Sequence, residues 1–169
     1  KLEEHQNYFN YIISDTTGNE IVHLLDAIST NVTNFFRESH HFDFLTEIVS
    51  KWNKQGQKRF RFWSAGCSTG EEPYTLAMTL MENGMGRITD TRILATDIST
   101  KVLKHCIRGE YTEKKMKDVS PVYCDRYFDK KSVHGSTQFT AKTELKNLIT
   151  FSRLNLSVIP FPMKGPMDI

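Results

Sequence analysis

Apolar positions fall at helical spacing in the first third of the chain and then pass into alternation. Ile21, Leu24, Leu25 and Ile28 share one face of a helix. A first helix runs up to Ile13, and Asp15-Thr16-Thr17-Gly18 both breaks it and caps the next. So small a pair buries no core alone, so residues 1–28 read as the end of a larger helical domain. A third helix over 39–52 carries Phe42, Leu45, Ile48 and Val49 on one side, and the polar, glycine-containing stretch 53–58 ends it.

After residue 58 strands and helices take turns. Arg59 to Ser64 (RFRFWS) alternates as a strand, residues 65–70 form a turn, and 72–81 form a helix with Tyr74, Ala77, Met78 and Leu80 available to a sheet. Residues 83–86 (NGMG) stop that helix, 92–96 (RILAT) make a second strand, and 99–107 a second helix. A third strand is expected at 148–152 (LITFS) and the start of a fourth at 167–169. Repeated βα units imply an α/β fold with a parallel sheet. Residues 111–129 are charged and expected to be helical, and 132–143 read as weak β structure about Gly135, a small antiparallel excursion.

Composition narrows the function classes without choosing one. With 169 residues, 38% hydrophobic and 25% charged, the chain fits one main globular domain. A formal charge of +2 argues against nucleic acid as the partner. Cys67, Cys106 and Cys124 are odd in number, far apart and without a C-x-x-C pair, so neither a disulfide framework nor a metal site is expected. The six histidines lack ligand spacing with cysteines or acids. No apolar leader opens the sequence and no run approaches the roughly 18 residues of a membrane span, so a cytoplasmic location without membrane insertion is expected.

The segment most informative about chemistry is FWSAGCSTGEEPY, residues 62–74. It lies where the first strand meets the first helix, the crevice in which open α/β sheets bind nucleotide-like ligands, and its small residues Ala65 and Gly66 let a ligand approach the main chain. An ordinary strand-to-helix turn with Pro73 in the first helical turn is the plainer account. The charges discriminate between ligands. Phosphate loops carry lysine or bare glycines, whereas this loop ends in Glu71-Glu72, which repels a pyrophosphate and attracts a cationic sulfonium or ammonium. Glu72 is assigned to the helix dipole and Glu71 to the ligand. Asp97, at the tip of the second strand, is placed to accept ribose hydroxyls, or alternatively to help start the helix after it.

NVTNFFRE at 31–38, FWSAGCSTGEEPY at 62–74 and ATDIS at 95–99 together resemble the CheR-type chemotaxis receptor methyltransferases, across essentially the whole chain. The resemblance implies a Rossmann-like, S-adenosylmethionine-dependent methyltransferase fold over 29–169, incomplete at its C-terminal end, with a small β subdomain about 130–147. It implies that Asn31, Thr33 and Arg37 contact the cofactor, with Arg37 also beside the reacting centre. It maps the acidic loop residue onto Glu71, the ribose acid onto Asp97 followed by Ile98, and the adenine edge onto Asn155 and Leu156. Phe35 and Phe36 are read as core. The implied activity is methyl esterification of glutamates on the cytoplasmic domain of methyl-accepting receptors, by a monomer that yields S-adenosylhomocysteine. The β subdomain is the candidate to hold a receptor's C-terminal peptide by strand addition. The rival reading is a non-catalytic cofactor-binding module of the same fold; a nucleotide-dependent oxidoreductase ranks third.

Overall fold

The computed structural model describes residues 2–28, 32–86, 89–133, 135–163 and 165–169. Helices α1 (Leu2–Ser14), α2 (Asn19–Ile28) and α3 (His40–Lys54) precede strand β1 (Arg59–Ala65), helix α4 (Glu71–Glu82), strand β2 (Asp90–Asp97) and helix α5 (Thr100–Arg108). Then come β3 (Glu110–Thr112), a 3-10 turn (Lys115–Asp118), α6 (Pro121–Tyr127), β4 (Phe128–Val133), β5 (Ser136–Ala141), α7 (Thr143–Lys146) and β6 (Ile149–Arg153).

The main sheet has the order β1-β2-β6, all parallel. Its strands show why alternation reads as β structure. Phe60, Phe62 and Ser64 of β1 are buried, and their register partners Thr91, Ile93 and Ala95 share that buried face. Tyr74 of α4 meets Phe151 of β6 and donates its hydroxyl to the Cys106 carbonyl of α5, so both crossover helices cover the same face, as right-handed βαβ connections require. Burying Phe60 and Phe62 contributes about 1.5–3 kcal/mol each. The chain returns to the outer edge of β1 at residues 168–169, where the Asp168 N–H donates to the Arg61 carbonyl and the Trp63 N–H to the Ile169 carbonyl. No strand forms there, although one is expected from the sequence.

The second sheet, order β3-β5-β4, is antiparallel. It departs from expectation at its first strand. Residues 111 and 112 are extended where a helix is expected, because Tyr111 pairs with Phe139 across the ladder and goes to 2% exposure. The helix in that region starts only at Pro121, after Ser120, whose hydroxyl caps the Tyr123 N–H. Phe35 fixes this sheet to the rest of the molecule: its ring meets Tyr111 and Phe128 edge-on at 4.9 and 5.9 Å. Phe36 is half-buried and touches Phe42 and Tyr123. Both phenylalanines therefore pack as the sequence suggests.

Candidate functional site

The loop from β1 to α4 is pinned on three sides. The Thr96 carbonyl accepts the N–H groups of Gly66 and Cys67. The Cys106 thiol donates to the Ser68 carbonyl at 3.1 Å, and the Tyr111 hydroxyl to the Thr69 carbonyl at 2.9 Å. Gly70, at φ 94°, leads into α4, and a Cβ placed there would lie 2.8 Å from the Tyr111 hydroxyl and 3.1 Å from the Cys106 sulfur. Only glycine meets both conditions. A hydrogen bond with Cys67 and burial raise the Cys106 thiol far above its ordinary range, and burial raises Tyr111. Both groups are therefore neutral props for the loop and not nucleophiles.

A cavity of about 680 Å³ opens beside this loop. Of the residues expected at the site, Thr33, Arg37 and Gly66 line it, joined by Cys67, Ser68, Trp63 and Glu72. The two adjacent glutamates part company. Glu71 is 0% exposed, with Oε2 accepting from the Thr69 hydroxyl at 2.6 Å and Oε1 from the Lys115 ammonium at 2.7 Å. Glu72 is exposed, borders the cavity, and accepts the buried Ser64 hydroxyl at 2.6 Å. The assignment of Glu71 to the ligand and Glu72 to the helix dipole thus meets the opposite geometry: in the first turn of α4 only the second carboxylate reaches the cavity.

Asp97 does not itself line the cavity and reaches it through Ser68. It is 9% exposed, and its two oxygens accept the Ser68 N–H at 2.8 Å and the Ser99 N–H at 2.9 Å. Ser68 also lines the cavity, so this carboxylate joins the two. A carboxylate has about four lone-pair sites, so each Asp97 oxygen retains one for a ligand hydroxyl. The Asp97 carbonyl holds the Leu154 N–H at 3.0 Å, which brings the turn after β6 alongside. On that turn Asn155 is exposed; its Oδ1 accepts from Ser157 N–H and hydroxyl, which leaves the amide NH₂ to donate. Leu156 is exposed, Ala65 is exposed at the end of β1, and Ile98 is half-buried with its carbonyl on Arg153. Arg37 is exposed and spends one guanidinium N–H on the Val32 carbonyl at 3.1 Å, keeping the others. Asn31 lies outside the described residues.

Residues 31–169 match the family model described as the CheR methyltransferase, SAM binding domain. The chain belongs to the CheR methyltransferase family. Among curated proteins it is 37% identical to a chemotaxis protein methyltransferase of Borreliella burgdorferi, over 100% of this chain and 62% of that protein. It is 33% identical to the chemotaxis protein methyltransferase of Escherichia coli, over 99% and 57%. It is 37% identical to a probable chemotaxis protein methyltransferase of Rhizobium etli, over 86% and 56%. The chain therefore spans roughly three-fifths of these CheR relatives' length.

Sequence reasoning missed Lys115 and Tyr111, which complete the CheR-type loop from 44 and 42 positions further along than the atoms they hold. Lys115 stands in the run Glu113-Lys114-Lys115-Met116-Lys117, where nothing local separates a buried partner from a solvated charge. Among the described residues no helix is long and apolar enough to cross a membrane.

Proposed function

We propose that this CheR-family protein transfers the methyl group of S-adenosylmethionine to glutamate side chains on the cytoplasmic domain of chemotaxis receptors, forming methyl esters and S-adenosylhomocysteine. The observation that carries the reading is the pairing of an exposed carboxylate, Glu72, with an exposed guanidinium, Arg37, on one cavity at the carboxyl end of β1. The amino-acid end of S-adenosylmethionine is a zwitterion, and a cavity that sets Arg37 among the carboxylates Glu38, Glu72 and Asp168 offers a partner to each of its charges; a pyrophosphate would meet those carboxylates as like charges. The residues present therefore fit the group. Glu72 would take the ammonium, Arg37 the carboxylate, Asp97 the ribose hydroxyls, and Asn155 with Leu156 the adenine edge. Asn31 and Thr33 join Arg37 in this set, and Ala65, Gly66 and Ile98 contribute main chain.

When bound, the cofactor supplies an electrophilic methyl on a sulfonium. The protein's part is placement. A glutamate side chain has an ordinary pKa of about 4.3, so the attacking carboxylate is ionised at neutral pH and no general base is needed. Holding the oxygen in line behind the methyl and excluding water lowers the barrier by several kcal/mol, within the range that orientation supplies. Arg37, at the cavity and hydrogen-bonded to its own segment, is the group proposed to orient the reacting ends.

Receptor contact is proposed at two further places. Strand β4 forms the outer edge of the second sheet and carries exposed Lys130 and Lys131, a surface suited to a receptor's C-terminal peptide by strand addition. Helices α1 and α2, which expose Tyr8, Phe9, Tyr11, Ile13, Ile21 and Ile28, are proposed to belong to a helical unit that recognises the receptor. The working form is a monomer in the cytoplasm, where these receptor regions lie.

Incubating the protein with methyl-labelled S-adenosylmethionine and receptor cytoplasmic domain tests the activity. Label that enters the receptor and leaves as methanol in alkali is expected, since carboxyl esters are base-labile. Cofactor binding without any base-labile transfer would replace this reading with that of a non-catalytic module.

A further inference from the structure

Lys115 stands outside the cavity yet touches both what surrounds it and what supports it. Its ammonium lies 2.7 Å from Glu71 Oε1 and 3.1 Å from the Thr33 carbonyl. Glu71 is sealed inside the first turn of α4, while the Lys115 side chain is 39% exposed and reaches it from the 3-10 turn after β3. The segment 33–37 is thereby tied to α4 by charge. A second tie runs through Thr75, whose hydroxyl donates to the Glu71 carbonyl and receives the Phe36 N–H at 3.2 Å. At the second tie Phe36 sits at φ 54°, and Glu38 two residues on has the same value; neither is glycine, so the surroundings must hold this backbone. Thr33, Asn34 and Arg37, the cavity-lining residues of the segment, owe their placement to it.

We propose that Lys115 is a positioning residue for cofactor binding: a lysine that clamps the main chain of segment 33–37 over the cavity, using buried Glu71 as its anchor. The inference rests on the functional reading above and adds to it a residue that touches no ligand. An ordinary structural ion pair would matter for stability alone. A clamp matters for affinity even when stability is restored.

The test uses calorimetry with S-adenosylhomocysteine, and thermal melting, on the 169-residue chain. Lys115→Met is expected to weaken binding about tenfold or more, the scale of one well-formed charged hydrogen bond. The double variant Lys115→Met with Glu71→Gln carries no unpaired buried carboxylate; it should regain the unaltered melting temperature and still bind about tenfold more weakly. Lys115→Arg, whose fork can span both acceptors, should stay within about threefold of the unaltered chain. Lys115→Gln loses the cation as Lys115→Met does, but keeps a donor for the Thr33 carbonyl, and should bind severalfold more tightly than it. Unaltered affinity in the double variant, or equal affinities for the glutamine and methionine variants, would overturn the clamp. Absence of binding by the unaltered chain would overturn the functional reading itself, and the clamp with it.

Discussion

Glu71 and Glu72 are neighbours in the first turn of one helix, yet the first is wholly enclosed on Lys115 and Thr69 while the second opens onto the cavity and rests on Ser64. A step of one residue on a helix turns a side chain by about 100°, enough to move it from the inside of the loop to the cavity side. The pair therefore separates a carboxylate that supports the loop from one that the proposed function gives to recognition. Glu71→Ala should cost roughly 2–3 kcal/mol, below the full price of a broken buried pair because its lysine reaches water. Glu72→Ala should cost about 1 kcal/mol, the loss of Ser64's acceptor, yet weaken S-adenosylhomocysteine binding about tenfold. Melting and calorimetry on both variants check the contrast.

Gly70 offers a second measurement. Alanine there must adopt φ 94° and push its methyl into the Tyr111 hydroxyl and the Cys106 sulfur. A loss of about 2 kcal/mol or more is expected, read from denaturant unfolding. Tyr111→Phe in the same background should not restore it, because the backbone conformation remains.

Phe35→Ala tests what joins the two sheets. Phe35 is 1% exposed, with its ring against Tyr111 and Phe128, and its removal should destabilise by about 3–5 kcal/mol. Hydrogen exchange should quicken first in β3 to β5, the elements that lose their contact with segment 33–37.

Acid sensitivity has an identifiable source at His105. Burial, as the largest influence, holds its pKa below the ordinary 6.5, with Arg108 and Lys115 acting the same way and Glu71 and Glu110 against. A histidine whose folded value is depressed favours the folded state fully above its unfolded pKa, and that contribution is lost as pH falls through 6.5 toward the folded value. Melting temperature should therefore drop between pH 7.5 and 5.5, and His105→Gln should flatten that part of the profile.

How much of this was legible in the sequence depended on the range of the interaction. The main sheet was readable because Phe60 and Phe62 alternate with Arg59 and Arg61, and because the glycine loop and Asp97 sit at strand ends. Strand β3 was not, since three residues carry no period and Tyr111 becomes extended only through Phe139, far along the chain. Charge, which the two share, does not separate Glu71 from Glu72, and the sequence reading gives Glu72 to the helix dipole and Glu71 to the ligand; their orientations differ in the fold, where Glu71 is enclosed on Lys115 from another element. The resemblance of 31–38, 62–74 and 95–99 to CheR methyltransferases carried the family where local pattern alone left alternatives open.

A crystal structure of the chain with S-adenosylhomocysteine tests the central claim most directly. The account predicts the amino-acid end in the cavity between Glu72 and Arg37, the ribose hydroxyls on Asp97, and Glu71 still on Lys115. A ligand seated elsewhere, or one that contacts Glu71 while Glu72 faces solvent, would contradict it.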